Sequence, residues 1–314
     1  MSTPTATPPA ELLIQLRALH RAEPAALSHD LPELGLRPLA HARNNRVYAW
    51  TSPDGTVCLK LYRTDKRDRA ACEHTALQHI AAHGMTAGPQ ALWHDPHPEL
   101  PAVAMTFLAG EPLPHLTGAD LDHAIHAAVD VLSELRHLPL GPFADLARVD
   151  FAANYVRRLT DVWPEQLRQQ PDDPLTTDLT QLLAAWHDHG DAKTLAEPAP
   201  RVLSRGDSNL LNWLWNPTTI HVVDWEFTGH SDPAYDAAEL IEHLSARCIS
   251  DTTWLALLPR LGITHPTTRH RFRAAQRTVA LRWLAVLWKR RYEREEEFEN
   301  QRIRATGIIR NAFV

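Results

Sequence analysis

Between Val202 and Asp236 the chain reads V-L-S-R-G-D-S-N-L-L-N-W-L-W-N-P-T-T-I-H-V-V-D-W-E-F-T-G-H-S-D-P-A-Y-D, and this stretch constrains the fold more than any other. A short apolar run, Val202-Leu203, leads into a loop that carries Asp207 and Asn212. A second run, Ile220 to Val223, ends at Asp224. Between them, Trp213 to Trp215 and the turn Asn216-Pro217 predict a β-hairpin. A hairpin brings its ends together, so the loop carboxylate and amide should lie near the strand-end carboxylate. Such a set of oxygen donors suits a hard cation such as Mg²⁺. Taken singly, Asp207 and Asp224 would be ordinary turn and strand-end residues. Their common spacing is what gives them meaning.

That spacing resembles the catalytic core of the aminoglycoside phosphotransferase and choline kinase group, which shares the protein-kinase fold. Gly206, Asp207 and Asn212 fall on the group's H-G-D-x-x-x-x-N motif. Asp224 falls on the aspartate that ends a strand about ten residues later. Arg205 stands where the motif has histidine. That histidine braces the loop and does no chemistry, so the departure bears on the bracing. Asp236, in P-A-Y-D, matches a carboxylate that ties down the catalytic loop.

The upstream sequence supplies a charged pair by its own logic. Thr56 to Tyr62 alternates as a strand with Lys60 inside it, joined to the strand Arg46 to Thr51 by the turn Ser52-Pro53-Asp54-Gly55. Thr64 to His83 predicts a helix that sets Glu73 on one face with Ala70, Leu77 and Ile80. A carboxylate on an apolar face needs a cation, and Lys60 is the natural one. Alone, Lys60 could equally snorkel from an edge strand. The resemblance makes it the lysine that holds the α/β-phosphates, paired with the helix glutamate.

Leu36 to Ala42, Gln90 to Asp95 and Ala102 to Phe107 complete an expected five-stranded antiparallel sheet. The phosphate-covering loop of the fold would be 41–45, which lacks glycine; Asn45 suits a tight turn there. By the same resemblance Met105 borders the adenine pocket, and backbone groups of Thr106 and Leu108 bind the adenine. From Ala119 onward the pattern is helical: Ala119 to Leu138, Asp150 to Gln169, Leu175 to His187, Thr252 to Leu261, and Thr267 to roughly Arg304. The expected fold class is therefore α+β and protein-kinase-like, with a small antiparallel sheet lobe and a larger, mainly helical lobe. The expected divisions are a tail and helix over 1–35, a nucleotide-binding lobe over 36–108, and a helical lobe over 109–314.

Composition sets outer bounds. A net charge of −6 argues against a nucleic-acid partner and suits a cationic small molecule. No apolar stretch is long enough to span a bilayer, and the Pro/Thr/Ala-rich start has no signal core. Cys58, Cys72 and Cys248 are widely spaced and read as reduced core thiols of a cytoplasmic protein. The implied activity is transfer of the γ-phosphate of ATP, with Mg²⁺ held by Asn212 and Asp224, to a substrate hydroxyl deprotonated by Asp207. An aminoglycoside or other amine-bearing antibiotic leads the acceptors. Choline, an amino sugar or a biosynthetic intermediate is the alternative, and a non-catalytic pseudokinase is a second class. Glu226, Glu293 and Glu296 are the candidate carboxylates for a substrate amine; a structural role is the competing reading of Glu226, and a solvated acidic face that of the last two.

Overall fold

The computed structural model describes residues 10–21, 31–39, 45–52, 55–149 and 151–310. The expected tail, residues 40–44 and the turn at 53–54 lie outside them. The chain forms two compact units: one runs to Leu113 and takes in Asn212–Thr228, the other joins Pro114–Leu211 to residues from Gly229 onward.

The first unit is built on a five-stranded antiparallel sheet: β1 (Leu36–Pro38), β2 (Arg46–Ser52), β3 (Gly55–Leu61), β4 (Ala91–Asp95) and β5 (Ala102–Thr106), in the order β1-β2-β3-β5-β4. The period-two alternation of β3 decides its faces. Val57, Leu59 and Leu61 join Leu12, Leu13 and Leu16 of helix α1 (Ala10–Arg21) in one apolar cluster. Cys58 and Lys60 therefore point the other way. Arg17 anchors α1, donating to Asp95 Oδ2 at 2.6 Å and Leu100 O at 2.9 Å.

Helix α2 spans Arg69–Ala82, shorter at its start than the predicted Thr64 to His83. Asp68, at φ 52°, accepts from the Ala71 N–H and caps it there. Thr64 instead donates its hydroxyl to Pro98 O at 2.8 Å. The predicted hairpin is present: β8 (Trp213–Asn216) pairs with β9 (Thr219–Val222), and β6 (Glu111–Pro112) pairs with β8. It is tied into the first unit by the Val222 N–H, which donates to Ala87 O at 2.8 Å.

The second unit is mainly helical. Its long helices are α3 (Gly118–His137), α6 (Thr176–Asp188), α10 (Pro266–Trp288) and α11 (Glu295–Arg310). The shorter ones are α4 (Ala152–Arg157), α5 (Trp163–Arg168), α7 (Asp191–Ala196), α8 (Pro233–Glu242) and α9 (Asp251–Leu257). Trp163, Trp186, Leu281, Leu284, Trp288 and Ile308 belong to its main core. A π-helical turn, Arg158–Val162, joins α4 and α5; Pro164 lacks the N–H that would continue the regular ladder. Strand β7 (Val202–Ser204) pairs with β10 (Gly229–Ser231). Gly229 is required there, because a Cβ would lie 2.4 Å from the Arg148 nitrogen.

Two further expectations differ from the structure. The final helix is two helices, broken over residues 289–294. Arg291 sits in the break: it donates to Trp288 O at 2.8 Å, lies over the Trp288 ring, and pairs with Asp173 at 2.7 Å. Glu295, Glu296 and Glu297 then open α11, where the helix dipole favours them. Cys248 is not a core thiol but exposed; it, Cys58 and Cys72 are free cysteines. Among the described residues no helix is long and apolar enough to cross a membrane.

Candidate active site

Lys60 is presented by the face of β3 opposite α1, and Glu73 by the inward face of α2. Both are buried, Glu73 completely. Lys60 Nζ lies 2.6 Å from Glu73 Oε2 and 2.5 Å from Asp224 Oδ1, with Glu226 Oε2 at 3.2 Å. Glu73 also accepts from the Tyr62 hydroxyl, and its other oxygen takes the Trp225 N–H at 3.0 Å. A fully buried carboxylate with three donors is compensated. Burial works against the charge on Lys60, but Asp224, Glu73 and Glu226 outweigh it and hold the ammonium well above the ordinary lysine range. Burial and the nearby Glu73 raise the Tyr62 phenol and push the Cys58 thiol up to about 12, so both stay protonated.

The hairpin brings Asn212 to Asp224. The Val223 N–H donates to Asn212 O at 3.0 Å, and the Asn212 amide lies 3.4 Å from Asp224 Oδ2. Asp224 has φ 69°, in the left-handed region. For a non-glycine residue this costs on the order of 1–2 kcal/mol. The flanking hydrogen bonds of Val223 and Trp225 hold the conformation. Glu73, Asp224 and Glu226 offer oxygens within 4.8 Å of one another. Glu73, Asp224 and Glu226 all face Lys60, and Glu226 also faces Arg69. The carboxylate charge gathered around Asp224 suits a hard divalent cation held by the Asp224 oxygens.

Other expected nucleotide-side residues also fall in the first unit. Asn45 donates its amide to Glu226 Oε2. Met105 is buried in β5 opposite Cys58. The Thr106 N–H is engaged with Gln90 O at 3.0 Å, and Leu108 lies just beyond the strand end, half-buried. Glu226, expected as a substrate carboxylate, is 1% exposed and is met by Asn45, Lys60 and Arg69. Burial raises its pKa against the pull of Lys60.

Asp207 belongs to the second unit, after β7 on a loop turned by Gly206 at φ 81°. A side chain would be strained there. Asp207 Oδ1 accepts the Asn209 N–H at 2.9 Å, closing an Asx turn. Arg205, buried, donates to Asp207 O and sets its guanidinium 3.6 Å from Asp207 Oδ2. Beneath the loop lies a network that the sequence did not reveal. Arg148 donates to Gly206 O at 3.0 Å, to Asp236 Oδ1 at 2.6 Å, and to Glu239 Oε2. Glu239 also accepts from Tyr155 at 2.7 Å and Ser208 at 3.2 Å, and Asp236 from Ser231 at 2.5 Å. Asp236 thus reaches the loop through Arg148. Glu239 had a local signal, since it follows Asp236 by three residues on α8; Arg148 had none. The Leu210 N–H donates to Ser245 Oγ at 2.8 Å, itself 2.7 Å from His243 Nδ1. Burial and the arginines Arg282, Arg247 and Arg205 push His243 down to about 3, so its imidazole is neutral. Glu293 and Glu296 are exposed, on the turn before α11 and in its first residues.

Comparison with known proteins follows the same lines. The family model of the phosphotransferase enzyme family matches residues 35–274. No curated protein matches significantly. Among solved structures, a thermostable aminoglycoside phosphotransferase APH(4)-Ia in ternary complex with ADP and hygromycin B superposes with TM-score 0.67 at 16% identity, covering 91% of this chain and 98% of that one. A choline/ethanolamine kinase family protein from Mesorhizobium loti gives TM-score 0.56 at 16% identity, covering 95% and 99%. APH(3'')-Id from Streptomyces rimosus gives 0.53 at 18%, covering 82% and 99%. The small antiparallel sheet and larger helical part are those of the protein-kinase-like fold. On the span of that match the chain belongs to the phosphotransferase enzyme family, as a phosphotransferase with an alcohol group as acceptor.

Proposed function

We propose that this chain is an ATP-dependent small-molecule kinase that moves the γ-phosphate of ATP to a hydroxyl, with an aminoglycoside or another amine-bearing antibiotic as the leading acceptor. The observation that carries this reading is the buried Lys60–Glu73 pair set against Asp224, with the Asn212 amide beside the same aspartate. Lys60, kept charged and aimed by Glu73, holds the α/β-phosphates. Asn212 and Asp224 would hold Mg²⁺, which when bound neutralises charge developing on the phosphoryl oxygens. Thr106 and Leu108 offer backbone groups to the adenine, and Met105 lines its pocket. Asp207 accepts the proton of the acceptor hydroxyl as its oxygen attacks the γ-phosphorus, and ADP departs. The Asx turn and the Arg205 contact fix the Asp207 carboxylate, so most of the gain comes from positioning.

The net charge of −6 and the exposed Glu293 and Glu296 favour a cationic acceptor. The test is ATP consumption by the full chain against aminoglycosides, peptide antibiotics, amino sugars and amino alcohols, read by mass. Hygromycin B heads the panel, because the APH(4)-Ia structure holds it. Choline and ethanolamine follow from the Mesorhizobium loti relative's family. A gain of one phosphate on a hydroxyl is expected. Absence of transfer together with absence of ADP binding would refute the reading.

A further inference from the structure

We infer that Glu226 and Asn45 form a clasp that positions the phosphate-holding lysine, so that Glu226 serves the nucleotide side of the reaction and not a substrate amine. The inference rests on the kinase reading above. Glu226 lies two residues past Asp224, on the segment that leaves the hairpin. Both of its oxygens are engaged. Oε2 takes the Asn45 amide and faces Lys60 Nζ at 3.2 Å; Oε1 faces Arg69 Nη1 at 3.3 Å. The carboxylate is 1% exposed, so an amine from solvent has no access to it.

Its three partners come from three different elements. Asn45 immediately precedes β2, Lys60 lies within β3, and Arg69 opens α2. Strands β2 and β3 are paired so that Val47 stands opposite Lys60. Asn45 thus enters the sheet two residues before the neighbour of the lysine and is 8% exposed. The segment that carries Glu226 is itself pinned. The Trp225 N–H is held by Glu73 at 3.0 Å, and Arg67 donates to Thr228 O at 2.6 Å. A carboxylate fixed in this way can hold both the start of β2 and the head of Lys60. Glu73 alone cannot do this, since Glu73 has no bond to Asn45 among those of the described residues. Among the described residues Asn45 Oδ1 is buried without a hydrogen-bond partner. The side chain is therefore held through its amide nitrogen, by Glu226.

The experiment measures ADP binding to the full chain by calorimetry, without any acceptor, with Mg²⁺ and with EDTA. The variants are Asn45→Ala, Glu226→Gln and the double. Each single change should weaken ADP about tenfold under both conditions, the size seen when a group orienting a ligand-holding residue is removed. The double should be within about threefold of the weaker single, because both break one contact. Asn45→Ala leaves Glu226 paired with Lys60 and Arg69, so it carries the test even where Glu226→Gln folds poorly. Unchanged ADP affinity in both singles overturns the clasp and is what an amine receptor would give. A loss confined to Mg²⁺ also overturns it and makes Glu226 a metal ligand. Wild type that fails to bind ADP at all removes the kinase reading itself, a result separable from the others.

Discussion

Arg148 carries the heaviest structural duty that has no signal in the sequence. It is 3% exposed and joins Gly206 O, Asp236 and Glu239 through one guanidinium. Burial opposes its charge, but Glu239 and Asp236 hold its pKa well above the ordinary arginine value. Arg148→Ala would leave two carboxylates beneath the loop without their cation. Breaking a buried pair from one side costs about 3–5 kcal/mol. At about 2.1 cal/mol/K of unfolding entropy per residue, that lowers Tm by roughly 5–8 °C. The deficit should depend on pH in a set direction. Burial already raises the Glu239 pKa, against the lowering pull of Arg148. Without Arg148 it rises further. The folded variant then binds more protons than the unfolded chain, so acid stabilises it relative to neutral pH. Thermal unfolding followed by circular dichroism should show the gap between variant and wild type narrowing from about pH 7.5 to about pH 5. Arg148→Lys restores charge without the planar fork and should recover only part of the loss. A variant that melts within about two degrees of wild type at neutral pH would refute the reasoning, since it would mean that Glu239 and Asp236 need no cation.

Three further outcomes are expected. Asp207→Asn should abolish phosphate transfer while ADP affinity, read by calorimetry, stays within about threefold of wild type; full turnover would remove its role as base. Asp224→Ala should lose the Mg²⁺-dependent part of ADP binding, and identical isotherms with Mg²⁺ and EDTA in wild type would count against a metal at Asn212 and Asp224. Arg205→His, which installs the residue of the family motif, should retain turnover within about tenfold, whereas Arg205→Ala should lose more, because it removes the donor to Asp207 O; equal activity of the alanine variant would show that the loop needs no brace at that position.

The sequence by itself determined the local pieces whose information is short-range. The alternation of β3 put Lys60 on one face, the spacing of Ala70, Glu73, Leu77 and Ile80 put Glu73 inward, and the turn Asn216-Pro217 returned the chain so that Asn212 meets Asp224. Periodicity and turn chemistry act over a few residues, and they carried these assignments. It did not locate the break at 289–294, where Arg291 pairs with Asp173, a residue distant in sequence. Nor did it show that Thr64 to Asp68 stays out of helix α2, where Thr64 is drawn to Pro98 O. Only the tertiary structure decided what a charged residue faces. Glu226 read as either a substrate carboxylate or a structural one, and the tertiary structure encloses it between Asn45, Lys60 and Arg69. Arg148 read as nothing and proved to hold the loop of Asp207. Burial and pairing of a charge depend on elements brought together from far along the chain, and a pattern confined to neighbouring residues does not contain them.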